Sequence, residues 1–120
     1  MADNTLIPER FGPLQGVRIV SSGTLIAEPF AAELAAEMGA EVIQIERPGI
    51  GDVGWRQTGA KLKARDGITQ ISANWIQDRR NMFCVTLDLS KPQGRDIFLR
   101  LARQADVIIE REFNTKPVHQ

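Results

Sequence analysis

Between Gly16 and Glu46 the sequence writes a strand, a helix and a second strand in about thirty residues, and that order forces two strands to lie parallel. Gly16-Val17-Arg18-Ile19-Val20-Ser21 is nearly continuous in apolar character, as a strand covered on both faces should be, which makes Val17 to Ser21 the first strand. Ser22-Gly23-Thr24 begins a turn, Pro29 suits the first turn of a helix, and Phe30, Ala31, Leu34, Ala35 and Met38 recur at three- and four-residue spacing. That stripe is expected to face the sheet. Gly39 then serves as a left-handed helix cap, and Glu41 to Glu46 is the second strand. A right-handed βαβ crossover follows from the chirality rule for such units.

The same alternation resumes further on. Gly49 to Gly67 dissolves into glycines and charges around Trp55 and reads as an exposed excursion at the ligand end of the sheet, a lid or a long loop. Ile68, Ile71 and Trp75 suggest a helical segment running to Asp78-Arg79-Arg80-Asn81, and Val85 to Leu89 is the third strand. Ser90 with Gln93 fits the capping-box spacing, Pro92 sits in the first turn, and Ile97, Phe98, Leu101 and Ala102 form the buried face of a second clear helix. Asp106 to Glu110 is the fourth strand. Residues 111–120 are polar and without periodicity, a tail expected to carry no fixed structure. The expected class is α/β, a Rossmann-like open parallel sheet. Two or three helices cannot cover both faces of four parallel strands, so residues 1–120 are expected to be the N-terminal part of a larger fold.

Charge narrows the partners. Fifteen basic and fifteen acidic residues balance, which offers no field for bulk nucleic-acid binding and no polybasic membrane surface. No basic-then-apolar leader opens the sequence and no apolar run approaches membrane-spanning length, so a cytoplasmic protein is the default expectation. Cys84 stands alone in the apolar run Met82-Phe83-Cys84-Val85 and is expected to be a buried structural thiol. The only histidine, His119, is far from it in sequence, so no metal site is expected.

Candidate chemistry gathers where the second strand ends. Glu46-Arg47-Pro48-Gly49 places an arginine at the C-terminal end of a parallel strand, where open α/β sheets bind ligands, and its guanidinium fork suits phosphate. An arginine in a solvated turn is the plainer reading. Glu41 with Glu46, and Asp88 with Glu110, are available as carboxylate pairs, but nothing in their spacing marks them as catalytic. Arg79 and Arg80 before the third strand are surface charge or phosphate ligands, and residue type does not separate the two. Nicotinamide dinucleotide binding is the obvious rival, with Glu46 in the ribose-binding place. Ser21 to Glu28 holds one glycine where that fingerprint needs three, however, and Glu28 at the helix start would oppose a bound phosphate.

Longer stretches carry a family resemblance. Phe11-Gly12-Pro13-Leu14-Gln15-Gly16-Val17-Arg18-Ile19-Val20, Ile26-Ala27-Glu28-Pro29-Phe30, the run from Gly39 through Gly49 to Asp52, Val85-Thr86-Leu87-Asp88-Leu89-Ser90-Lys91-Pro92-Gln93-Gly94-Arg95, and Ala105-Asp106-Val107-Ile108-Ile109-Glu110 together resemble the N-terminal sequence of class III coenzyme A transferases. Ser22-Gly23 and Arg79-Arg80-Asn81-Met82 look like the carnitine branch, whereas Arg47 to Asp52 looks as much like the formyl-CoA:oxalate branch.

The resemblance implies a Rossmann-type domain, an interlocked homodimer, and movement of coenzyme A from an acyl-CoA to a small carboxylic acid through an aspartyl-CoA intermediate. The family's nucleophilic aspartate lies beyond the fourth strand and outside these residues, so the 120 residues alone are expected to be inactive. Matched residue by residue, Arg47 corresponds to the arginine that contacts the CoA nucleotide, Ile26 and Ala27 to the turn lining the CoA site, and Leu87, Asp88, Leu89 and Ser90 to the strand end beside the adenosine. The family's Asn-Phe-Arg-Pro-Gly after the fourth strand has no counterpart in Arg111-Glu112-Phe113-Asn114. From another class, a non-catalytic nucleotide-binding or assembly module would share every one of these features except the downstream aspartate.

Overall fold

The computed structural model describes residues 11–110. Four strands, β1 (Arg18–Ser21), β2 (Glu41–Glu46), β5 (Phe83–Thr86) and β6 (Val107–Ile109), form one sheet in the order β5-β2-β1-β6 with every pairing parallel. Between β2 and β5 the chain forms α2 (Val53–Gln57), an antiparallel hairpin of β3 (Lys61–Lys63) and β4 (Gln70–Ser72), and α3 (Ala73–Asp78). Helix α1 (Ala27–Glu37) joins β1 to β2, and α4 (Pro92–Ala102) joins β5 to β6. The α/β parallel sheet expected from the sequence is therefore present, with β1 and β2 where their apolar continuity put them to within a residue.

Side chains alternate across a strand, so β1 and β2 feed two separate cores. Ile19 and Val42 pack with Ala32, Ala36 and Ala40 on the α1 face, whereas Val20 and Ile45 pack with Leu87, Ile97, Phe98 and Leu101 on the α4 face. The α4 stripe is the one expected. Its cap is not: Lys91 is the N-cap without a side-chain bond, because the Ser90 hydroxyl is spent on Asp88 Oδ1 at 2.6 Å. No capping box forms with Gln93.

Helix α1 corrects the sequence reading more deeply. Its buried residues are Glu28, Pro29, Ala32, Glu33 and Ala36, while Phe30, Leu34 and Met38 are each more than two-fifths exposed. Alanines at positions 32 and 36 let the helix sit close on Ile19 and Val42, and Glu33 is tolerated beneath it because Arg80 Nη2 reaches its carboxylate at 3.3 Å. The large apolar side chains thus point away from the sheet. Gly39 ends the helix at φ +97°, and a Cβ there would fall on the Phe11 carbonyl, so both the turn and the return of the N-terminal segment require glycine.

Two further expectations change. The third strand starts two residues before Val85 and ends three before Leu89, since backbone pairing with β2 runs Ile43↔Phe83 to Glu46↔Thr86 and the chain then turns at Asp88. Cys84 is exposed rather than buried, because β5 is the edge of the described sheet. Partial desolvation, with the neighbouring Glu46 carboxylate, still pushes its thiol pKa up. The expected polar tail, residues 111–120, and the family comparison at Arg111 to Asn114 lie outside the described residues. No helix among the described residues is long and apolar enough to cross a membrane.

Candidate functional site

The segment read as a loose excursion from Gly49 to Gly67 is folded down by charge. Asp52 caps α2, its Oδ1 accepting from the amides of Gly54 at 2.9 Å and Trp55 at 3.3 Å, while Oδ2 receives Arg79 Nη2 at 2.8 Å. Both side chains of that ion pair are 1% exposed. The Arg79 guanidinium also faces the rings of Trp55 and Trp75 at 5.1 and 5.8 Å. Next to it, Arg56 grips Glu46 through Nε at 3.0 and 3.1 Å and Nη2 at 2.7 Å, and stacks 3.5 Å over Trp75. The Asp52–Arg79 pair is desolvated and holds only because each charge keeps its partner, whereas Arg56 stays partly exposed on Glu46. The helix expected over Ile68 to Asp78 accordingly starts only at Ala73, after β4 has returned the chain to the Ser72 cap.

With that module in place, the C-terminal ends of β1, β2 and β5 enclose a cavity of about 420 Å³. Its walls are Ser22, Gly23 and Thr24 after β1, Ile45 and Glu46 at the end of β2 with Arg47, Pro48, Gly51 and Asp52 beyond it, and Leu87, Asp88, Leu89 and Ser90 after β5. This is the end of the sheet where parallel α/β folds bind ligands. The size falls within the range of small-molecule clefts.

The charges around it are unequal. Glu46 and Asp52 are already neutralised by Arg56 and Arg79. Among the described residues, Arg47 is the one cation lining the cavity and has no carboxylate within ion-pair distance. Asp88 is held ionised below the usual carboxylate range, chiefly by the Ser90 hydroxyl and amide, with the charges of Lys91 and Arg47 assisting. Arg95 closes this wall by donating from Nε to the Leu89 carbonyl at 2.9 Å. The surface can therefore take an anion at Arg47 and offer acceptor oxygens, from Asp88, to hydroxyl or amino groups.

Of the residues singled out in the sequence, Arg47, Leu87, Asp88, Leu89 and Ser90 meet in one cavity. Ile26 and Ala27 do not line it; they begin α1, with Ile26 68% exposed. The turn before them is tight, with Leu25 at φ +72°. Arg79 is neither surface charge nor a free phosphate ligand, because it is buried on Asp52, whereas Arg80 is the surface charge of the two alternatives, 57% exposed and bridging Glu33 and Glu37. Glu41 and Glu46 sit at opposite ends of β2, Glu41 on Arg18 and Glu46 on Arg56, so they are no catalytic pair. Sequence reading missed Ser22 to Thr24, Glu46 and Asp52 as cavity walls. Among the described residues no cluster of three or more His, Cys, Asp or Glu could hold a metal ion.

Known proteins place this architecture. L-carnitine CoA-transferases of Proteus mirabilis (strain HI4320) and Proteus sp. (strain LE138) are each 41% identical over 110 residues, 92% of this chain. The chain spans 23% of their length. Among solved structures, a CAIB/BAIF family protein from Brucella suis superposes with a TM-score of 0.74 at 29% identity over 84% of this chain and 26% of its own. Rv3272 from M. tuberculosis gives 0.68 at 33% identity over 82% and 26%. The family described as CoA-transferase family III matches residues 14–116, and the chain belongs to that family.

Proposed function

We propose that this chain supplies part of the coenzyme A site of a CoA-transferase, one that moves CoA from an acyl-CoA to a small carboxylic acid, with carnitine-type substrates favoured by the relatives. The observation that carries this reading is the meeting of Arg47 with Leu87 to Ser90 across one cavity at the strand ends. Among the described residues Arg47 is the one cation lining that cavity and has no carboxylate within ion-pair distance, and a guanidinium fork matches a phosphate oxygen pair. On the neighbouring strand end, the backbone and acceptor oxygens of Leu87 to Ser90 suit the hydroxyls and amine of an adenosine. A cavity of about 420 Å³ holds the nucleotide end of CoA rather than the whole molecule.

In this reading the residues described here bind and orient, and the covalent step belongs to an aspartate beyond β6. That carboxylate attacks the donor thioester to give a mixed anhydride and free CoA thiolate, and the thiolate then attacks the aspartyl carbonyl, expelling the donor acid as its carboxylate and leaving an aspartyl-CoA thioester, which divides one difficult exchange into easier ones. The 120 residues by themselves then exchange no CoA. An interlocked homodimer and a cytoplasmic location belong to the same proposal. The dinucleotide alternative is weakened by Glu46, whose carboxylate is committed to Arg56 and so is not free for a ribose hydroxyl pair.

Calorimetric titration of CoA tests the reading. A charge-assisted contact is worth about 1.5–3 kcal/mol net, so Arg47→Ala should weaken CoA binding roughly ten- to a hundredfold, with Arg80→Ala near wild type. An unchanged dissociation constant for Arg47→Ala returns Arg47 to the role of a solvated turn residue and leaves the assembly-module alternative standing.

A further inference from the structure

Directly beneath the Ser22–Thr24 wall lies a run of buried polar contacts that CoA binding as described does not use. Ser21 Oγ is 2.6 Å from Glu28 Oε1 and also 2.6 Å from Gln44 Oε1. Gln44 Nε2 in turn donates to the Gly23 carbonyl at 3.0 Å and, at longer range, to the Ile45 carbonyl at 3.4 Å. Ser21 and Gln44 are fully buried and Glu28 is 8% exposed.

The protons do not balance if Glu28 is ionised. A serine hydroxyl has one hydrogen, yet both of its 2.6 Å neighbours are acceptor oxygens. Turning the Gln44 amide over gives no relief, since it would set the amide oxygen against the Gly23 carbonyl oxygen. The second hydrogen must come from the Glu28 carboxyl. Its other oxygen, Oε2, is buried without a hydrogen-bond partner among the described residues, a costly place for half of a carboxylate charge and a cheaper one for the carbonyl of a neutral acid.

We infer that Glu28 is held as a neutral acid that positions the cavity wall: Oε1–H donates to Ser21 Oγ, Ser21 Oγ–H to Gln44 Oε1, and Gln44 Nε2–H to the Gly23 carbonyl. The approach is close enough that a Cβ on Gly23 would come within 2.0 Å of Glu28 Oε2, so glycine at that wall is what admits the carboxyl. Burial is the main cause pushing the Glu28 pKa up and Asp52 adds to it, while the nearby Gly23 amide and Arg79 moderate it, as the Ser21 hydroxyl would if it turned from Gln44 to an ionised carboxylate. Arg79 gives limited relief because its guanidinium is committed to Asp52. The inference rests in part on the CoA reading, for which it removes a conflict: an ionised acid in the first turn of α1 would repel an anionic ligand at the neighbouring wall, and a neutral one does not.

The pH dependence follows in sign. The folded protein keeps a proton that the unfolded chain releases near the ordinary value of 4.5, so the contribution is complete below that pH and is lost as pH rises through the elevated folded value. Three measurements on the full chain separate the possibilities. A ¹³C titration of the assigned Glu28 carboxyl carbon in the wild-type protein should place its midpoint above that of an exposed glutamate, and it requires no variant. Urea unfolding should show wild-type stability falling with pH relative to Glu28→Gln, whose amide donates permanently to Ser21. CoA affinity should fall several-fold in the wild type across the same interval and stay level in Glu28→Gln. A Glu28 midpoint at or below the ordinary value overturns the inference. A raised midpoint in a protein that binds CoA at no pH upholds the proton assignment and overturns the CoA reading instead.

Discussion

Asp52→Asn is the substitution that most sharply separates charge from shape in this fold. The amide keeps an oxygen for the Gly54 and Trp55 amides, so the α2 cap survives, while Arg79 loses its anion in a place where both side chains are 1% exposed. The Trp55 and Trp75 rings, 5.1 and 5.8 Å from the guanidinium, offset only part of that loss. Leaving one member of a buried pair uncompensated costs about 3–5 kcal/mol. A domain of this size has roughly 5–15 kcal/mol in total, so the variant should be near its limit and best measured in a stabilising osmolyte. Urea is the denaturant of choice because guanidinium would screen the interaction being measured. Trp fluorescence reports the α2–α3 module and circular dichroism the whole chain. Asp52→Asn with Arg79→Met removes both charges and should recover most of the loss, as the double-mutant cycle requires. A single variant within about 1 kcal/mol of wild type, or a double variant at the sum of the two single losses, would show that the pair is not what folds this segment down.

Two other outcomes follow from particular contacts. Gly94→Ala places a Cβ 2.1 Å from the Asp88 carbonyl oxygen, and the overpacking cost of about 1–3 kcal/mol should exceed the ~1 kcal/mol returned by helix propensity, so thermal unfolding should move down; an upward shift would show that α4 is free to retreat. Nicotinamide dinucleotide titrated into the wild type should give no saturable heat, because Glu46 is bound by Arg56 and the glycine fingerprint is missing; saturable binding competed by CoA would reopen the dinucleotide reading.

What could be read from the sequence was set by how local its causes are. β1 and β2 follow from unbroken apolar runs, and the α4 face from the spacing of Ile97, Phe98 and Leu101, each a property of a short window. The orientation of α1 escaped because its large apolar residues are periodic too, and only the tertiary fit of Ala32 and Ala36 against Ile19 and Val42 decides which stripe goes inward. The α2–α3 module escaped because its organising contact joins Asp52 to Arg79, twenty-seven positions apart. The commitment of Glu46 to Arg56 escaped for the same reason, since the two are ten positions apart and nothing in the sequence marks the pair. At the site, Arg47 and Leu87 to Ser90 were visible through strand-end topology and family resemblance. Ser22 to Thr24 escaped because the contact beneath them, from Gln44 to the Gly23 carbonyl, joins residues twenty-one positions apart.

The exposed apolar surface has a simple counterpart in length. Phe30, Leu34, Met38, Phe83 and Leu99 each remain at least two-fifths accessible, and the chain spans under a quarter of the CoA-transferase relatives it matches. Among the described residues, four parallel strands with α1 and α4 leave part of both faces uncovered.

The central claim is that the strand-end cavity receives the nucleotide end of CoA. A crystal structure of the protein carrying this chain, grown with CoA, tests it most directly. The account predicts phosphate oxygens within hydrogen-bond distance of the Arg47 guanidinium and the adenosine against Leu87 to Ser90. Density for the nucleotide elsewhere, with Arg47 still turned to solvent, would contradict it.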